Sequence, residues 1–268
     1  MPKVSVIMSV FNGGAYLEKS INSILNQTFE DFEFIIVNDG STDRSLEVMK
    51  NYNDPRLVII DQRNKGLTKS LNIAISHSRS QYLARIDADD VALPKRLELQ
   101  YNYLQKNKGI IVLGTRGRII YANFEKISPF LNKDEIKRAI RYKNPLIHSS
   151  VMIRKKPFST IGYYNEKYST SQDFNAWKRL IKLGSIQMLN QVLVERYVLN
   201  TSVSRRMPLI QAMNSFKIRR EGINFFQNSL IFMYQLITNV ISERWLLFFK
   251  KILPNVFISR LKKIIHKI

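Results

Sequence analysis

The first ninety residues alternate between short apolar runs and amphipathic segments. Apolar runs rich in β-branched residues predict four strands, at residues 4–10, 32–37, 57–60 and 82–86. Between them, apolar residues recur at helical spacing and predict three helices, at residues 15–26, 43–52 and 67–78. Nearly continuous apolar strands that alternate with helices are typical of a parallel sheet covered on both faces. The pattern therefore predicts an α/β fold with a mostly parallel sheet.

After residue 115 the apolar pattern is less regular. Residues 110–113 predict one more strand, and residues 133–142 predict a basic surface helix. A later helix is predicted from a stripe of apolar side chains that indicates a buried face, formed by Phe174, Trp177, Leu180 and Ile181. Asp173 stands at the start of that helix, where it is either an N-cap or a functional carboxylate.

The last part of the chain predicts amphipathic helices. Residues 222–242 carry no charged side chain, yet polar residues recur along one side of the predicted helix, at Asn224, Asn228, Gln235 and Asn239. A helix of this kind lies on a surface rather than crossing a bilayer. A second amphipathic helix with a basic face is predicted after Pro254. Three partners remain open for this tail: an anionic membrane surface, the catalytic domain, or a second subunit in a homodimer.

Charge and composition restrict the chemistry. The chain of 268 residues has 42 basic and 21 acidic side chains, a net charge of +21, and 12 of the basic side chains follow residue 204. Such an excess indicates a polyanionic partner, and its concentration in the tail favours a local surface. Because the chain has no cysteine and three scattered histidines, carboxylates are the metal ligands that it offers. The first residues lack the apolar region of a signal peptide, so we expect a cytoplasmic protein.

Acidic and aromatic residues follow the predicted strands. Asp87 and Asp89 come after the fourth strand, Asp39 after the second, and Ser9 and Phe11 at the end of the first. The carboxyl ends of parallel strands form the ligand-binding edge of such a sheet. Paired carboxylates suit a hard divalent cation that holds nucleotide phosphates. The alternative is that these acids are turn and helix-cap residues.

Two nucleotide-binding motifs are absent from the sequence. The first strand leads into Phe11-Asn12-Gly13-Gly14 instead of G-x-G-x-x-G, and G-x-x-x-x-G-K-[ST] does not occur. A dinucleotide oxidoreductase or a P-loop ATPase is therefore disfavoured.

Five sequence blocks in one order carry a resemblance to a known family. They are VSVIMSVFN from Val4, SINSILNQT from Ser20, FIIVNDGSTD from Phe34, NKGLTKSLN from Asn64 and ARIDADDVALPKRLEL from Ala84. Together they resemble the bacterial family 2 glycosyltransferases, which have the GT-A fold, a Rossmann-like α/β architecture. The resemblance implies metal-assisted transfer of a sugar, with inversion, from a nucleotide diphosphate donor to an acceptor hydroxyl.

The resemblance also implies roles for individual residues. Asp39 matches the carboxylate that holds the nucleobase, and Ser9 and Phe11 match positions that line the base pocket. Asp89 matches the ligand of Mn²⁺ or Mg²⁺, and Asp87 matches the nucleoside-side acid of the D-x-D element.

Further along the chain, the segment from Gln172 resembles the E-D-[YF]-x-x-W block, in which Asp173 corresponds to the general base and Gln172 replaces the usual Glu. Arg85, His148 and Trp177 are candidate contacts of the donor or the acceptor. The alternative for His148 is a loop histidine bonded to the backbone.

The chain departs from the family pattern near residue 200. Tyr197 and Leu199 stand where relatives commonly carry Arg and His, so we expect either that His148, Arg205 or Arg206 replaces the missing groups or that the donor binds less tightly.

The resemblance predicts a catalytic domain over residues 1–204, with a nucleotide-binding half (1–115) and an acceptor-binding half (116–204), followed by the basic helical tail (205–268). The expected partners are a nucleotide sugar, a glycan or lipid-linked acceptor and the anionic inner face of the membrane, without nucleic acid. Two rival functions are a sugar-phosphate nucleotidylyltransferase and a non-catalytic polyanion-binding protein.

Overall fold

One mixed sheet of nine strands organises the protein. The computed structural model describes residues 1–199 and 206–239. Its main path runs β3-β2-β1-β4-β8-β6-β9-β5, and the short β7 pairs with β6. In chain order the strands are β1 (Val4–Val10), β2 (Phe32–Asp39), β3 (Leu57–Gln62), β4 (Tyr82–Arg85), β5 (Val91–Ala92), β6 (Ile110–Ile120), β7 (Glu125–Ile127), β8 (Met152–Arg154) and β9 (Ser185–Tyr197).

Strands β1 to β4 confirm the predicted parallel sheet. β1 lies between β2 and β4, β3 pairs with β2, and all three pairings are parallel. The connecting helices are α1 (Leu17–Leu25), α2 (Ser45–Lys50) and α3 (Leu67–His77). Both faces of the sheet are covered, because alternate β1 residues enter different cores. Met8 packs in the core that contains α1 and α2, whereas Ile7 packs in the core that contains α3.

Two helices begin later than the sequence predicts. The segment from Gly14 to Tyr16 is a 3-10 turn before α1, and α2 starts at Ser45 instead of residue 43. The reason lies in Asp43, whose carboxylate accepts hydrogen bonds from the backbone N–H groups of Gly14 and Ser45. This carboxylate therefore joins the first two loops at the ligand-binding edge of the sheet.

The second half of the sheet is less regular. β8 runs antiparallel to both β4 and β6, while β6 and β9 are parallel with three register shifts. β6 continues seven residues beyond the predicted strand at 110–113, through two glycines that fit closely packed positions. A Cβ atom on Gly117 would lie 2.6 Å from Ile147 Cδ1. The helices of this half are α4 (Arg96–Lys106), α5 (Lys133–Ala139), α6 (Lys155–Thr160) and α7 (Gln172–Leu180).

The described part of the tail forms two helices, α8 (Pro208–Arg219) and α9 (Phe225–Asn239). They pack against each other and on the catalytic part, where Lys178 Nζ of α7 donates to the Ile218 carbonyl over 2.8 Å. Within residues 1–199 and 206–239, no helix has the length and apolar character needed to cross a bilayer. The helix predicted after Pro254 lies outside the described residues. The division into domains stays a prediction.

Candidate active site

Three carboxylates converge just after β4. Carboxylate oxygens of Asp87, Asp89 and Asp90 all lie within 4.8 Å of one another. The backbone holds them in a turn, since the Asp90 N–H donates to the Asp87 carbonyl over 3.2 Å. The hydroxyl of Ser20 on α1 donates to the same carbonyl over 2.9 Å. The end of β4 and the first helix thus fix the acidic cluster together.

The three acids have different environments. Burial raises the pKa of Asp87, but the charge and hydrogen bond of Arg85 outweigh it and hold the pKa at about 2. Burial and the charge of Asp87 raise the pKa of Asp89 to about 6. Asp90 is 2% exposed and accepts from the Tyr197 backbone N–H over 3.0 Å. Burial, with the charges of Asp87 and Asp89, raises the pKa of Asp90 well above its usual value.

This cluster fits a hard divalent cation. Magnesium and manganese prefer carboxylate oxygens, and three such ligand atoms are already close together. The raised pKa values of Asp89 and Asp90 show that the negative charge is incompletely compensated, and a cation would relieve it. Asp87 is already paired with Arg85 and with the Ser149 hydroxyl. Asp89, which is partly exposed, therefore remains the more available ligand.

The predicted base-binding residues lie at the ends of the neighbouring strands β1 and β2. Phe11 follows β1 with 45% of its surface exposed, and Ser9 is half-buried. Asp39 ends β2 and is 2% exposed. Its Oδ1 accepts from the Lys65 N–H over 2.7 Å, and its Oδ2 from the Gly66 N–H over 2.9 Å. The Asp39 carboxylate therefore fastens the loop between β3 and α3 beside the first two strands.

Asp173 lies in the first turn of α7, as the sequence predicts. Its Oδ1 accepts from the Phe174 N–H over 2.8 Å, and its Oδ2 accepts from Asn144 Nδ2 over 2.5 Å. The amide of Asn144 is itself fixed, because its Oδ1 accepts from the Leu146 N–H over 3.1 Å. Two donors from different segments thus hold both oxygens of this carboxylate.

The electrostatics connect Asp173 with the acidic cluster. Burial raises the pKa of Asp173, and its hydrogen bonds to Phe174 and Asn144 oppose that rise. The positive charge of Arg85 lowers the pKa of Asp173, and the negative charge of Asp87 raises it. Contacts agree with this coupling, because the His148 ring meets Trp177 of α7 and the adjoining Ser149 hydroxyl donates to Asp87 over 2.9 Å, so α7 and the end of β4 lie in one site.

Arg85, His148 and Trp177 form the inner wall of this site. Arg85 is 1% exposed, and its guanidinium is bonded to Asp87 and to Ser149 Oγ. His148 Nε2 lies 2.7 Å from the Tyr164 hydroxyl, and burial lowers the pKa of His148 well below its usual value, so the ring is neutral. The Trp177 ring is fully buried and meets the His148 ring edge-on at 6.1 Å. Direct ligand contacts by Arg85, His148 and Trp177 stay predictions.

The sequence profile described as Glycosyl transferase family 2 matches residues 5–162, more than half of the chain. The chain belongs to glycosyltransferase family 2. An uncharacterized glycosyltransferase of Haemophilus influenzae is 31% identical over 255 residues, which cover 89% of this chain and 79% of the relative. The hyaluronan synthase of Pasteurella multocida is 28% identical over 233 residues, which cover 84% of this glycosyltransferase and 24% of the synthase.

Two solved structures share the fold of this glycosyltransferase. Residues 1–349 of S. aureus TarS, in complex with UDP-GlcNAc, give a TM-score of 0.66 at 17% identity, covering 88% of this chain and 73% of that chain. The mannosyltransferase PcManGT of Pyrobaculum calidifontis, in complex with GDP-Man and Mn²⁺, gives 0.66 at 16% identity, covering 89% and 71%. The predicted GT-A fold is confirmed.

Several site residues of this glycosyltransferase escaped the sequence reasoning. Asn144 lies four residues before His148, and nothing in the sequence alone marks it as a partner of Asp173. Arg196 directly precedes Tyr197, where the chain departs from the family pattern, and its charge lowers the pKa values of Asp89 and Asp90. Among the substitutes expected for the missing His at Leu199, Arg205 lies outside the described residues, and Arg206 is exposed.

Proposed function

We propose that the protein transfers a sugar from a nucleoside diphosphate, with UDP as the first choice, to an acceptor hydroxyl with inversion at the anomeric carbon. One observation carries the proposal: α7, which has Asp173 in its first turn, adjoins the acidic cluster after β4, because Trp177 of α7 meets the His148 ring and the neighbouring Ser149 hydroxyl bonds to Asp87. Such a transfer needs carboxylates at two places: one beside the donor diphosphate to hold the cation, and one at the acceptor to take the proton of its hydroxyl. The TarS complex with UDP-GlcNAc supports the choice of donor.

On the donor side, Phe11 and Ser9 would contact the nucleobase and Asp39 would bind its polar edge. The Asp39 carboxylate has about four lone-pair sites, of which three accept from Gln62, Lys65 and Gly66. One remains for a base N–H. Asp89, with Asp90 beside it and Asp87 on the nucleoside side, would hold Mn²⁺ or Mg²⁺. When bound, such an ion neutralises charge on the departing diphosphate, and the PcManGT complex with Mn²⁺ supports its use.

On the acceptor side, Asp173 would accept the proton of the attacking hydroxyl. The bonds from Phe174 and Asn144 orient its two oxygens, and they favour the ionised form that a base requires. Attack from the face opposite the leaving diphosphate gives inversion. In this proposal, burial raises the pKa of the Asp173 carboxylate, which makes it a stronger base, and its two donors favour the charged form.

For the acceptor we propose a glycan or a lipid-linked glycan in the synthesis of a surface polysaccharide. The hyaluronan synthase relative supports a polysaccharide role, although this chain spans about a quarter of that enzyme. We place the reaction in the cytoplasm, because a chain without cysteine suits a reducing compartment.

A nucleotide panel tests the proposal. Thermal unfolding is followed with Mn²⁺ and UDP, GDP or dTDP, and the slow hydrolysis of the matching sugar nucleotides is then assayed. We expect one nucleotide diphosphate to raise the melting temperature only when metal is present, and its sugar derivative to be hydrolysed. Release of pyrophosphate from a nucleoside triphosphate and a sugar phosphate would instead identify a nucleotidylyltransferase. Equal shifts with every polyanion and no hydrolysis would contradict catalysis.

A further inference from the structure

The helix α9 turns its polar side inward. Arg219 at the end of α8 is 1% exposed, and its Nε donates to Asn228 Oδ1 of α9 over 2.9 Å. A second guanidinium nitrogen donates to Gln235 Oε1 over 3.0 Å, and Asn228 Nδ2 donates to the Phe216 carbonyl over 2.9 Å. Asn228 and Gln235 belong to the polar row along one side of this helix. Because this row bonds to a buried arginine, the large side chains of Phe225, Phe226 and Met233 lie on the outward side of α9.

The outward side of α9 carries large apolar groups. Phe225 is 76% exposed, Phe226 is 72% exposed and Met233 is 52% exposed. Phe225 touches Phe216 of α8 edge-on, with ring centroids 6.4 Å apart, so the two helices adjoin at this point. Exposed aromatic side chains on one side of a helix are costly in water unless a partner covers them.

Basic side chains flank this apolar surface along α8. Ile210 and Met213 are exposed, and the same helical row continues into the exposed cations Lys217 and Arg220. The exposed Arg206 precedes the row by four residues. Residues 206–239 contain four basic side chains and one acidic side chain. Seven of the fifteen exposed large apolar side chains of the described residues lie in this short segment, so the two properties coincide there.

We propose that the outward sides of α8 and α9 form a docking surface for an anionic phospholipid bilayer, with Phe225 and Phe226 among the headgroups and with Lys217 and Arg220 on lipid phosphates. Aromatic residues favour the bilayer interface, and clustered cations are attracted to the negatively charged cytoplasmic leaflet. The proposal does not depend on the reaction that the site after β4 performs.

Charge favours the bilayer over two other occupants. A second copy of the chain would bring the same row of Lys217 and Arg220 against its own like charges. Residues 240–268 contain seven basic side chains and one acidic side chain, so they are also repelled by these cations. An anionic lipid surface is the occupant that complements both the apolar and the basic part.

Flotation of the full-length protein with lipid vesicles tests the surface. One set of vesicles is pure phosphatidylcholine, and the other contains about one third phosphatidylglycerol. The variant Phe225→Ser/Phe226→Ser is compared with the wild type. The matched control, Phe124→Ser/Phe130→Ser, removes two other aromatic side chains that are 60% and 43% exposed. We expect the wild type and the control to float with the anionic vesicles, and the α9 variant to bind at least tenfold more weakly.

A second variant separates charge from apolar contact. Lys217→Glu/Arg220→Glu should lose binding to the anionic vesicles, and high salt should weaken the wild type in the same way. Equal binding to neutral vesicles, equal loss in the control variant, or unchanged binding of the α9 variant would overturn the proposal. It would also be overturned if the α9 variant lowered the urea midpoint of the lipid-free protein, because the face would then be covered by the chain itself. Dissociation of a dimer by the same variant would assign the face to a second copy.

Discussion

The half of the fold with the parallel strands β1 to β4 and the half with the mixed strands β5 to β9 each contribute a carboxylate to the candidate site, the second from the first turn of α7, and they hold it differently. Asp39 at the end of β2 accepts from two backbone N–H groups and one side chain. Asp173 accepts from one backbone N–H and from Asn144. The hydrogen bonds of Asp39 fasten a neighbouring loop, whereas burial and both hydrogen bonds of Asp173 act on the pKa of Asp173. We infer that the first half is built to bind a ligand and the second half to tune a reactive group.

The largest expected effect is a loss of turnover that separates the proposed base from the proposed ligand of the cation. Asp173→Asn keeps the shape of the side chain but removes the base, so kcat should fall by about 10³-fold while metal-dependent nucleotide binding is unchanged. Asp89→Asn should weaken nucleotide binding and turnover together, because it removes a ligand of the cation. Titration calorimetry with the nucleotide diphosphate and Mn²⁺, combined with a transfer assay, measures both quantities.

If Asp173→Asn and Asp89→Asn change nucleotide binding and turnover in the same way, the two halves do not have separate functions. Near-normal transfer by Asp173→Asn would remove this residue as the base. Normal metal-dependent binding by Asp89→Asn would place the cation elsewhere in the acidic cluster. Glu166→Gln, a charge-neutralising change at an exposed loop position, serves as the control and should leave both quantities unchanged.

A stability experiment examines the close approach of two loops in the first half of the fold. Gly40 has φ +73°, and a Cβ atom there would lie 2.6 Å from the backbone nitrogen of Asn64. Gly40→Ala should therefore lower the free energy of unfolding by about 3 kcal/mol, from backbone strain and a clash that no rotamer relieves. Gly162→Ala is the control, since Gly162 has φ +69° but no atom within 4 Å of the added Cβ. It should cost only about 1 kcal/mol. Equal losses in urea denaturation would show that the close approach of the two loops is unimportant.

The sequence predicts the first half of the fold better than the second for a physical reason. Strands β1, β2 and β4 are buried on both faces, so their continuous apolar runs are visible without any knowledge of their neighbours. β6 and β9 are bulged and partly exposed, and the pairing of the three-residue β8 with β4 depends on contacts distant in sequence. The motifs located Asp87, Asp89 and Asp173 as candidates, and the structure brings them together. Asn144 and Arg196 were missed, because their importance depends on which acids the fold places beside them.

The pH dependence of turnover tests whether Asn144, in the second half of the fold, sets the pKa of Asp173. A carboxylate works as a base only when it is ionised, so with Asp173 as the proposed base kcat should fall as the pH drops through the pKa of Asp173. Removing the Asn144 donor in Asn144→Ala raises that pKa, because a hydrogen bond to the charged form is lost. The acid limb of the kcat profile should therefore move to higher pH. The other groups that act on Asp173, namely Arg85, Asp87 and Tyr164, remain in place.

The control for this shift is a second asparagine with a purely structural bond. Asn132 caps α5 through the N–H groups of Asp134 and Glu135. Asn132→Ala should cost about 1 kcal/mol of stability without moving the limb. If the two variants give the same profile, Asn144 only supports the fold, whereas the assignment of Asp173 as the base would still rest on its own variant.

The smallest expected effect concerns Arg196, which lies beside the position of the family's missing histidine. Arg196 on β9 lowers the pKa values of Asp89 and Asp90 through its charge, and it is half-buried, so a diphosphate bound at the cluster would meet this cation. Arg196→Ala should raise the KM for the sugar nucleotide by about fivefold, equivalent to about 1 kcal/mol for a partly screened charge. Arg206→Ala is the matched comparison, because Arg206 is exposed and was the sequence-based substitute. A larger rise in KM for Arg206→Ala than for Arg196→Ala would assign the contact with the donor diphosphate to the tail. A larger rise in KM for Arg196→Ala would show that β9, in the second half of the sheet, also contributes to donor binding. Donor binding would then not belong to the first half alone.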